Sequence, residues 1–389
     1  MSNIADALKL FYLPGLRYQL NDQASAFLAQ IEKSTEEVVG REIRMAMRYG
    51  RQGGVGNRAD DGTLPTPNSR RTKQAAWETK NIFARFQLTD KTIEASKSNV
   101  GAFASMLQQE IEDCETDARL DLSRQALGDG VGVLCTVSQG NYAGGVVTVT
   151  VDTTMYLAEG MYVDIIASGG TVKSQEVEII SVPSSTTFIY AASSDPSLVS
   201  GDQVFVAGNK NKELTGLDAV VSTGGTLYGI DRGEHPWLNS NVFAINGAIA
   251  ETRIQAGIDE VETKSGSETN FLLCSKGVAR AYQNLQTAMK QHVNTLDLKG
   301  GWTGLSYAGG KKPIPLVSDK YVLPNRLYGL DLNDWKMYQM ADWNWLDRDG
   351  SMLTRVANKP VWEATLVKYC DLGCQRPRGQ FVMTGITEL

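Results

Sequence analysis

Two segments that alternate in polarity flank a long stretch that cannot do so. In Arg41–Tyr49, Ile43, Met45, Met47 and Tyr49 point one way, while Glu42, Arg44 and Arg48 point the other. In Asn81–Leu88, Ile82, Ala84, Phe86 and Leu88 alternate with Phe83, Arg85 and Gln87. A period of two is the signature of strands with one buried face. Between them, from roughly Gly50 to Lys73, the chain is rich in Gly, Pro, Asn and Asp and carries Arg51, Arg58, Arg70, Arg71 and Lys73. A connection this long inside a compact domain is usually functional or disordered. Flanked by two strands, it reads as the tip of a projecting hairpin that contacts another chain. Asp60 and Asp61 interrupt its positive charge, and few aromatics are present to stack on bases, which argues against nucleic acid as its target.

The chain before the hairpin, to about Glu37, starts as an irregular arm broken by Pro14 and Gly15. It then becomes helical through Ala24, Leu28 and Ile31, either as a surface helix or as an arm reaching another subunit. After the hairpin, Ser96 and Ser98 serve as N-caps. A helix then runs to about Leu127 on a stripe of Val100, Phe103, Met106, Leu107, Ile111, Cys114, Ala118 and Leu122. Glu110, Glu112, Asp113, Glu115 and Asp117 line its other sides as an exposed acidic face. At 1.5 Å rise per residue such a helix spans about 45 Å. Gly128-Asp-Gly-Val-Gly132 follows a helix rather than a strand and lacks a Gly-Lys-Ser/Thr, so it reads as a helix terminus and not as a phosphate loop.

From about Ser138 to Asn211 charged residues thin out and Val, Thr, Ser and Gly dominate. Short strands are expected at Val146–Val151, Tyr162–Ile166, Glu176–Val182, Thr187–Ala191 and Gln203–Val206, the pattern of a small all-β barrel or sandwich inserted between mixed α/β flanks. Beyond it, Ala244–Val261 reads as helix and Phe271–Leu273 as an apolar strand. Ser275 caps a helix to about Met289. Pro313–Val317 and Arg326–Leu330 read as strands, and a tryptophan-rich turn region runs from Asp331 to Trp345. Further strands are expected at Met352–Val356, Glu363–Tyr369 and Gln380–Thr384.

Composition removes several classes of function. A net charge of −6, from 38 Lys and Arg against 44 Asp and Glu, does not suit a protein built to grip nucleic acid. Residues Met1–Leu10 lack a positive flank with an apolar block, so no secretory signal is read, and no apolar run is long enough to span a bilayer. The five cysteines are odd in number and scattered, which fits reduced thiols. Cys370-Asp-Leu-Gly-Cys374 has no second cysteine pair or nearby histidine to complete a zinc site. Of the two histidines, His292 stands alone, and His235, in Gly233-Glu-His-Pro236, reads as a loop residue with a local hydrogen bond because no Gly-x-Ser-x-Gly elbow exists. Asp342, Asp347 and Asp349 lack the terminal Glu of a calcium loop. Trp335, Trp343 and Trp345 read as core or interface anchors. No catalytic residue, metal site or cofactor site is expected.

The order of parts carries more than any one motif. An N-terminal arm, a long hairpin, a very long helix and an α/β domain closing on β-rich C-terminal strands resemble the major capsid proteins of tailed bacteriophages, the Hong Kong 97 fold. Phe271-Leu-Leu-Cys-Ser-Lys-Gly-Val-Ala-Arg-Ala-Tyr282 is similar to that family's A-domain strand-then-helix, and Arg326-Leu-Tyr-Gly-Leu-Asp331 to its later strand. Trp362-Glu-Ala-Thr-Leu366 through Phe381-Val-Met-Thr-Gly-Ile386 is similar to its C-terminal strands. The resemblance implies an α+β fold divided into an N-terminal arm (1–38), an E-loop hairpin (39–90) and a P-domain spine helix (91–137). An inserted β-domain (138–211), an A-domain with a P-domain segment (212–350) and C-terminal strands (351–389) follow.

It further implies a non-enzymatic shell protein that assembles, in the host bacterial cytoplasm, into hexamers and pentamers of an icosahedral virion. Its partners would be many copies of itself, a portal, accessory cement proteins and a separate scaffolding protein, or else a precursor trimmed before Met1. DNA would be enclosed without sequence-specific binding, and no membrane is involved. Lys73 and Lys80 could serve the Lys–Asn crosslink of some relatives, but no matching Asn or promoting Glu is assignable, so none is expected. The basic tip Arg51, Arg58, Arg70, Arg71 and Lys73 is expected to dock on the acidic face Glu110, Glu112, Asp113, Glu115 and Asp117 of an adjacent subunit. The alternatives are an encapsulin-like compartment shell and, from a different class, a β-domain-bearing surface-binding protein or hydrolase.

Overall fold

The computed structural model describes residues 25–91, 100–288, 295–297, 303–309, 312–347 and 352–389. The expected caps Ser96 and Ser98, the arm through Pro14, Gly15 and Ala24, and His292 and Asp349 lie outside them. The chain divides into two compact units, one of Met1–Leu127 with Leu217–Leu389 and one of Gly128–Gly216. Among the described residues no helix is long and apolar enough to cross a membrane.

The smaller unit is a closed barrel. Its strands run, in order around the barrel, Thr187–Ala191, Val146–Val151, Val133–Ala143, Gln203–Val206, Tyr162–Ile166 and Val172–Ser184. Alternation decides which side chains fill it. Val147, Val149 and Val151 point inward, and Val149 faces Phe188 and Val147 faces Tyr190 across the ladder. Val163, Ile165, Ile179 and Val204 complete the core. The barrel begins before Ser138, because Val133–Ala143 is one of its strands and Leu134, Cys135 and Val137 are buried in it.

In the larger unit a seven-stranded mixed sheet has the order Asn241–Gly247, Phe381–Ile386, Leu327–Leu330, Phe271–Cys274, Ile314–Ser318, Thr303–Tyr307, Thr295–Asp297. Phe271-Leu-Leu-Cys274 is buried at every position, as a central strand requires. The helices Glu251–Ser265 and Lys276–Ala288 cover the face that carries Leu272 and Cys274, through Ile254, Ile258, Val261, Val278 and Tyr282. Gly257 makes this packing possible, since a Cβ there would stand 2.8 Å from Met383 Cε. The single helix expected over Ala244–Val261 is instead a strand followed by a helix. Ile245 belongs to the strand, and only Ile249, Ile254, Ile258 and Val261 enter the core beneath the helix. Gly266, at φ +69°, ends that helix and donates to the Glu262 carbonyl at 2.9 Å.

A second sheet is built on the long strand Val361–Cys374, flanked by Trp335–Trp345 and by Lys80–Thr89, with Glu32–Ser34 and Thr354–Arg355 at its margins. Trp335–Trp345, expected as a turn region, is a strand of 11 residues that buries Trp335, Trp343 and Trp345. Two register shifts, between Gln339 and Ala341 and between Ala341 and Asn344, break its period of two and conceal it from pattern reading.

The hairpin also differs from expectation. Its return strand is Thr72–Glu78, paired with Glu42–Arg48 from Glu42↔Glu78 to Arg48↔Thr72. Lys80–Thr89 pairs instead with Val361–Cys374 over ten positions, from Val361↔Thr89 to Cys370↔Lys80. The long helix Val100–Leu127 packs on Lys80–Thr89, burying Ile111, Ala118 and Leu122.

Candidate functional site

Beyond the last ladder pair, Arg48↔Thr72, the hairpin closes once more through Tyr49 N–H to the Arg71 carbonyl at 3.1 Å and then opens into its tip. Arg71 lies over Gly50, where a Cβ would come within 2.6 Å of the arginine Cβ. Arg51, Arg58, Arg70 and Arg71 are exposed, as are Val55 and Leu64, the latter at 82% of its full area. Their surroundings differ, however. Arg58 is turned onto the tip itself: its Nε donates to the Thr63 carbonyl and its guanidinium to the Asn57 carbonyl, both at 2.9 Å. It shapes the loop beside the Gly62–Ala59 turn. Among the described residues no ion pair engages Arg51, Arg70 or Arg71.

Lys73 does not sit at the tip. It lies on the return strand opposite Met47, and its Nζ stands 2.9 Å from His235 Nε2. His235 therefore reaches a residue 162 positions away rather than bonding its side chain locally. Next to it Tyr49 stacks on Trp237, with centroids 4.9 Å apart and planes 9° from parallel. Lower on the hairpin, Trp77 stacks on Tyr228 at 4.0 Å, and Ala76 N–H donates to the Tyr228 carbonyl at 3.2 Å. Gly229, at φ +75°, permits this approach, because a Cβ there would lie 2.8 Å from the Ala76 carbonyl oxygen.

The loop that receives the hairpin is rigidified from within by Arg232, only 2% exposed. Its guanidinium donates to the carbonyls of Val220 (2.8 Å), Ser222 (3.0 Å) and Ala219 (3.1 Å) and to Ser222 Oγ (2.6 Å). Burial lowers its proton affinity, and the neighbouring Tyr228 opposes that effect. Sequence reading missed this receiving site. Its signal was the aromatic pair around Gly-Glu-His-Pro-Trp237 and Tyr49, which periodicity does not connect.

On the long helix, Glu110, Glu112, Asp113 and Asp117 are exposed. Glu110, Asp113 and Asp117 follow one another at spacings of three and four and so form one ridge. Burial, and then the charge of Asp113, raise the Asp117 carboxyl's affinity for protons. Glu115 does not belong to this exposed face. It is 3% exposed and stands in the stripe of Ile111, Ala118 and Leu122 at helical spacing. Burial pushes its carboxyl up to about 7 against the opposing charge of Arg119, and its Oε1 has no hydrogen-bond partner among the described atoms.

The remaining candidates are absorbed into the interior. Cys370 and Cys374 are buried on one strand, and burial pushes the Cys370 thiol up to about 12. Asp342 accepts from the buried Lys368 at 2.6 Å and pairs with Lys33 at 3.5 Å. Lys368 also donates to Gln339 Oε1 at 3.1 Å and stands over the Trp343 ring at 5.5 Å. Among the described residues no three His, Cys, Asp or Glu side chains gather as a metal-ligand set.

No family model matches the chain, and no curated protein matches it. Solved structures do. A chain of the cyanophage A-1(L) capsid asymmetric unit aligns with 94% of this chain and 93% of its own length, at 15% identity and a TM-score of 0.57. The capsid of a native GTA particle aligns with 93% of this chain and 90% of its own, at 10% identity and a TM-score of 0.49. The satellite phage P4 procapsid aligns with 96% and 99%, at 11% identity and a TM-score of 0.45. The cyanophage likeness is one of fold over nearly the whole chain: this is the α+β fold of phage major capsid proteins.

Proposed function

We propose that this chain is a structural major capsid protein that self-assembles into the icosahedral shell of a tailed phage, as hexamers and pentamers around double-stranded DNA. The observation that carries the reading is a hairpin braced along its strands whose tip carries exposed Arg51, Arg70 and Arg71, without an ion pair among the described residues, and exposed Val55 and Leu64, on a fold shared with a phage capsid. Such projections enlarge the area buried between copies without enlarging the core. A standard interface buries about 1,200–2,000 Å², and wrapping arms exceed that. Closed symmetry then requires the same contact to recur around the shell.

In this reading the hairpin is the E-loop, the long helix the spine of the P-domain, and the seven-stranded sheet the A-domain. Arg51, Arg70 and Arg71 dock on the Glu110–Asp113–Asp117 ridge of an adjacent copy. The role is structural rather than enzymatic, the location is the virion, and a separate scaffolding protein, a portal and cement proteins are its expected associates. The net charge of −6 suits a container, since a strongly basic wall would hold the DNA it encloses.

Electron microscopy of the purified, expressed chain tests the proposal. Megadalton closed particles are the expected result, and a solitary monomer under all assembly conditions would refute it. DNA-filled particles with a tail vertex in infected cells separate a phage shell from an encapsulin-like compartment.

A further inference from the structure

At the end of the seven-stranded sheet where Phe271–Cys274 and Ile314–Ser318 begin, the loop 266–270 and the last turns of the helix Glu251–Ser265 border a pocket of about 350 Å³. Small-molecule sites span about 300–1,000 Å³. The apolar part of the lining comes from the buried Ile258 and Ile314 and from Pro313, and no aromatic ring is among the lining residues. Its charges come from Glu262, Glu268 and Lys312, all exposed. Thr269 lines it as well. That residue is only 7% exposed, yet its Oγ1 has no hydrogen-bond partner among the described residues. Buried hydroxyls are ordinarily satisfied, so an orphan on a pocket wall marks a place for a ligand atom. The neighbouring polar groups are spent on one another. Asn270 Nδ2 donates to Asp331 Oδ1 at 3.2 Å, and its Oδ1 accepts from Leu332 N–H at 2.9 Å. Asn333 Nδ2 donates to the same Asp331 oxygen at 3.0 Å. Ser267 Oγ accepts from Arg376 at 2.9 Å and donates to Asp334 at 3.4 Å. The wall is therefore held in shape by its own bonds, with the Thr269 hydroxyl left over.

We propose that this pocket binds a primary alkylammonium, the charged end of a small linear diamine. Charge decides the sign of the ligand. Two carboxylates against one lysine leave the lining with one formal negative charge in excess. The C-terminal end of the helix adds partial negative charge of its own. Lys264, the cation of that last turn, is engaged by Glu260 at 2.6 Å and by Asn241 at 3.3 Å and does not line the pocket. An anionic ligand would meet Glu262 and Glu268. A quaternary ammonium would lack the aromatic faces that bind such cations. A primary ammonium brings three donors and no acceptor, which suits Thr269 Oγ1 and the two carboxylates, while its methylene stem suits Ile258 and Ile314. The binding is non-covalent and does not rest on the shell-building reading.

Isothermal titration calorimetry of cadaverine, a linear diamine, into the unassembled full chain tests it, so failure to form shells leaves the measurement intact. Saturable one-to-one binding is expected, with pentanol, which keeps the stem and lacks the charge, weaker by about tenfold or more. Thr269→Val keeps the side-chain shape and removes the orphan hydroxyl. It is expected to weaken cadaverine about fivefold while leaving the urea midpoint unchanged or higher, a combination that a merely structural hydroxyl would not give. Glu262→Gln, on the surface, is expected to weaken cadaverine about tenfold. Hydrogen exchange should slow in peptides covering 262–270 when cadaverine is bound and stay unchanged in the barrel strand 146–151. If Thr269→Val fails to fold, Glu262→Gln decides. Absence of saturable binding up to about 10 mM, pentanol binding as well as cadaverine, protection confined to other peptides, or either folded variant binding as tightly as the wild-type chain would overturn the assignment.

Discussion

Lys368 and Asp342 meet at 2.6 Å, with the lysine 1% exposed and the carboxylate reachable from solvent. Removing one partner of such a pair strands the other in a medium that disfavours its charge, which costs about 3–5 kcal/mol. Asp342→Asn is therefore expected to lower the midpoint of urea denaturation by an amount of that order. Lys368→Met, which removes the buried charge itself, should cost clearly less.

The same carboxylate predicts an acid limit to stability. Burial raises its proton affinity, but Lys368 and Lys33 outweigh burial and hold it down to about 2, below the 3.8 of the unfolded chain. A depressed carboxyl contributes stability that is present above the unfolded value and is lost as pH falls through the folded one. Denaturation midpoints should fall between about pH 4 and pH 2, and Asp342→Asn should remove part of that fall.

Glu115 works in the opposite direction. Its folded value of about 7 lies above the 4.5 of the unfolded chain. Between those values the folded state holds a proton that the unfolded state has released, so stability declines as pH rises from about 4.5 to 7. Glu115→Gln is expected to gain about 1 kcal/mol at pH 8 and almost nothing at pH 4. Paired denaturation curves at the two pH values check this.

Arg232→Ala removes the donor that serves the carbonyls of Ala219, Val220 and Ser222. Leaving such acceptors unsatisfied and opening a cavity is expected to cost about 3 kcal/mol. Proteolysis should then cut first within 219–238, and that pattern is the direct readout.

Deleting Gly53–Arg70 should leave the secondary structure of the chain intact, because the residues removed make no ladder contact. It should also abolish closed particles in electron microscopy. Charge reversal of Arg51, Arg70 and Arg71 to Glu should do the same at low salt. Wild-type assembly should weaken from 0.1 M to 1 M salt, as the screening length shrinks from about 10 Å to about 3 Å.

Much of the fold was legible because local period and burial agreed. Val146–Val151, Tyr162–Ile166, Thr187–Ala191 and Gln203–Val206 lie where alternation and turn residues put them. Trp335–Trp345 was not legible, since two bulges scramble its phase. The return strand Thr72–Glu78 was hidden by its weak pattern, in which only Ala75 is buried, and by the stronger alternation just beyond it. At the candidate site, the arginines of the tip could be read as a charged projection. That Lys73 belongs to the return strand rather than to the tip, that Arg58 serves the loop and that Glu115 is buried are facts of tertiary packing, which residue type and spacing do not encode.

If the chain builds the proposed shell, the closure of the Gly128–Gly216 barrel has a consequence for its many copies. A sheet with an open margin offers free amide and carbonyl groups to any passing strand, and copies held side by side in such a shell would invite that zippering. A cylinder whose every strand has a neighbour on both sides has no such valence to offer. Its outward residues are therefore free to diverge without soliciting adhesion among their duplicates.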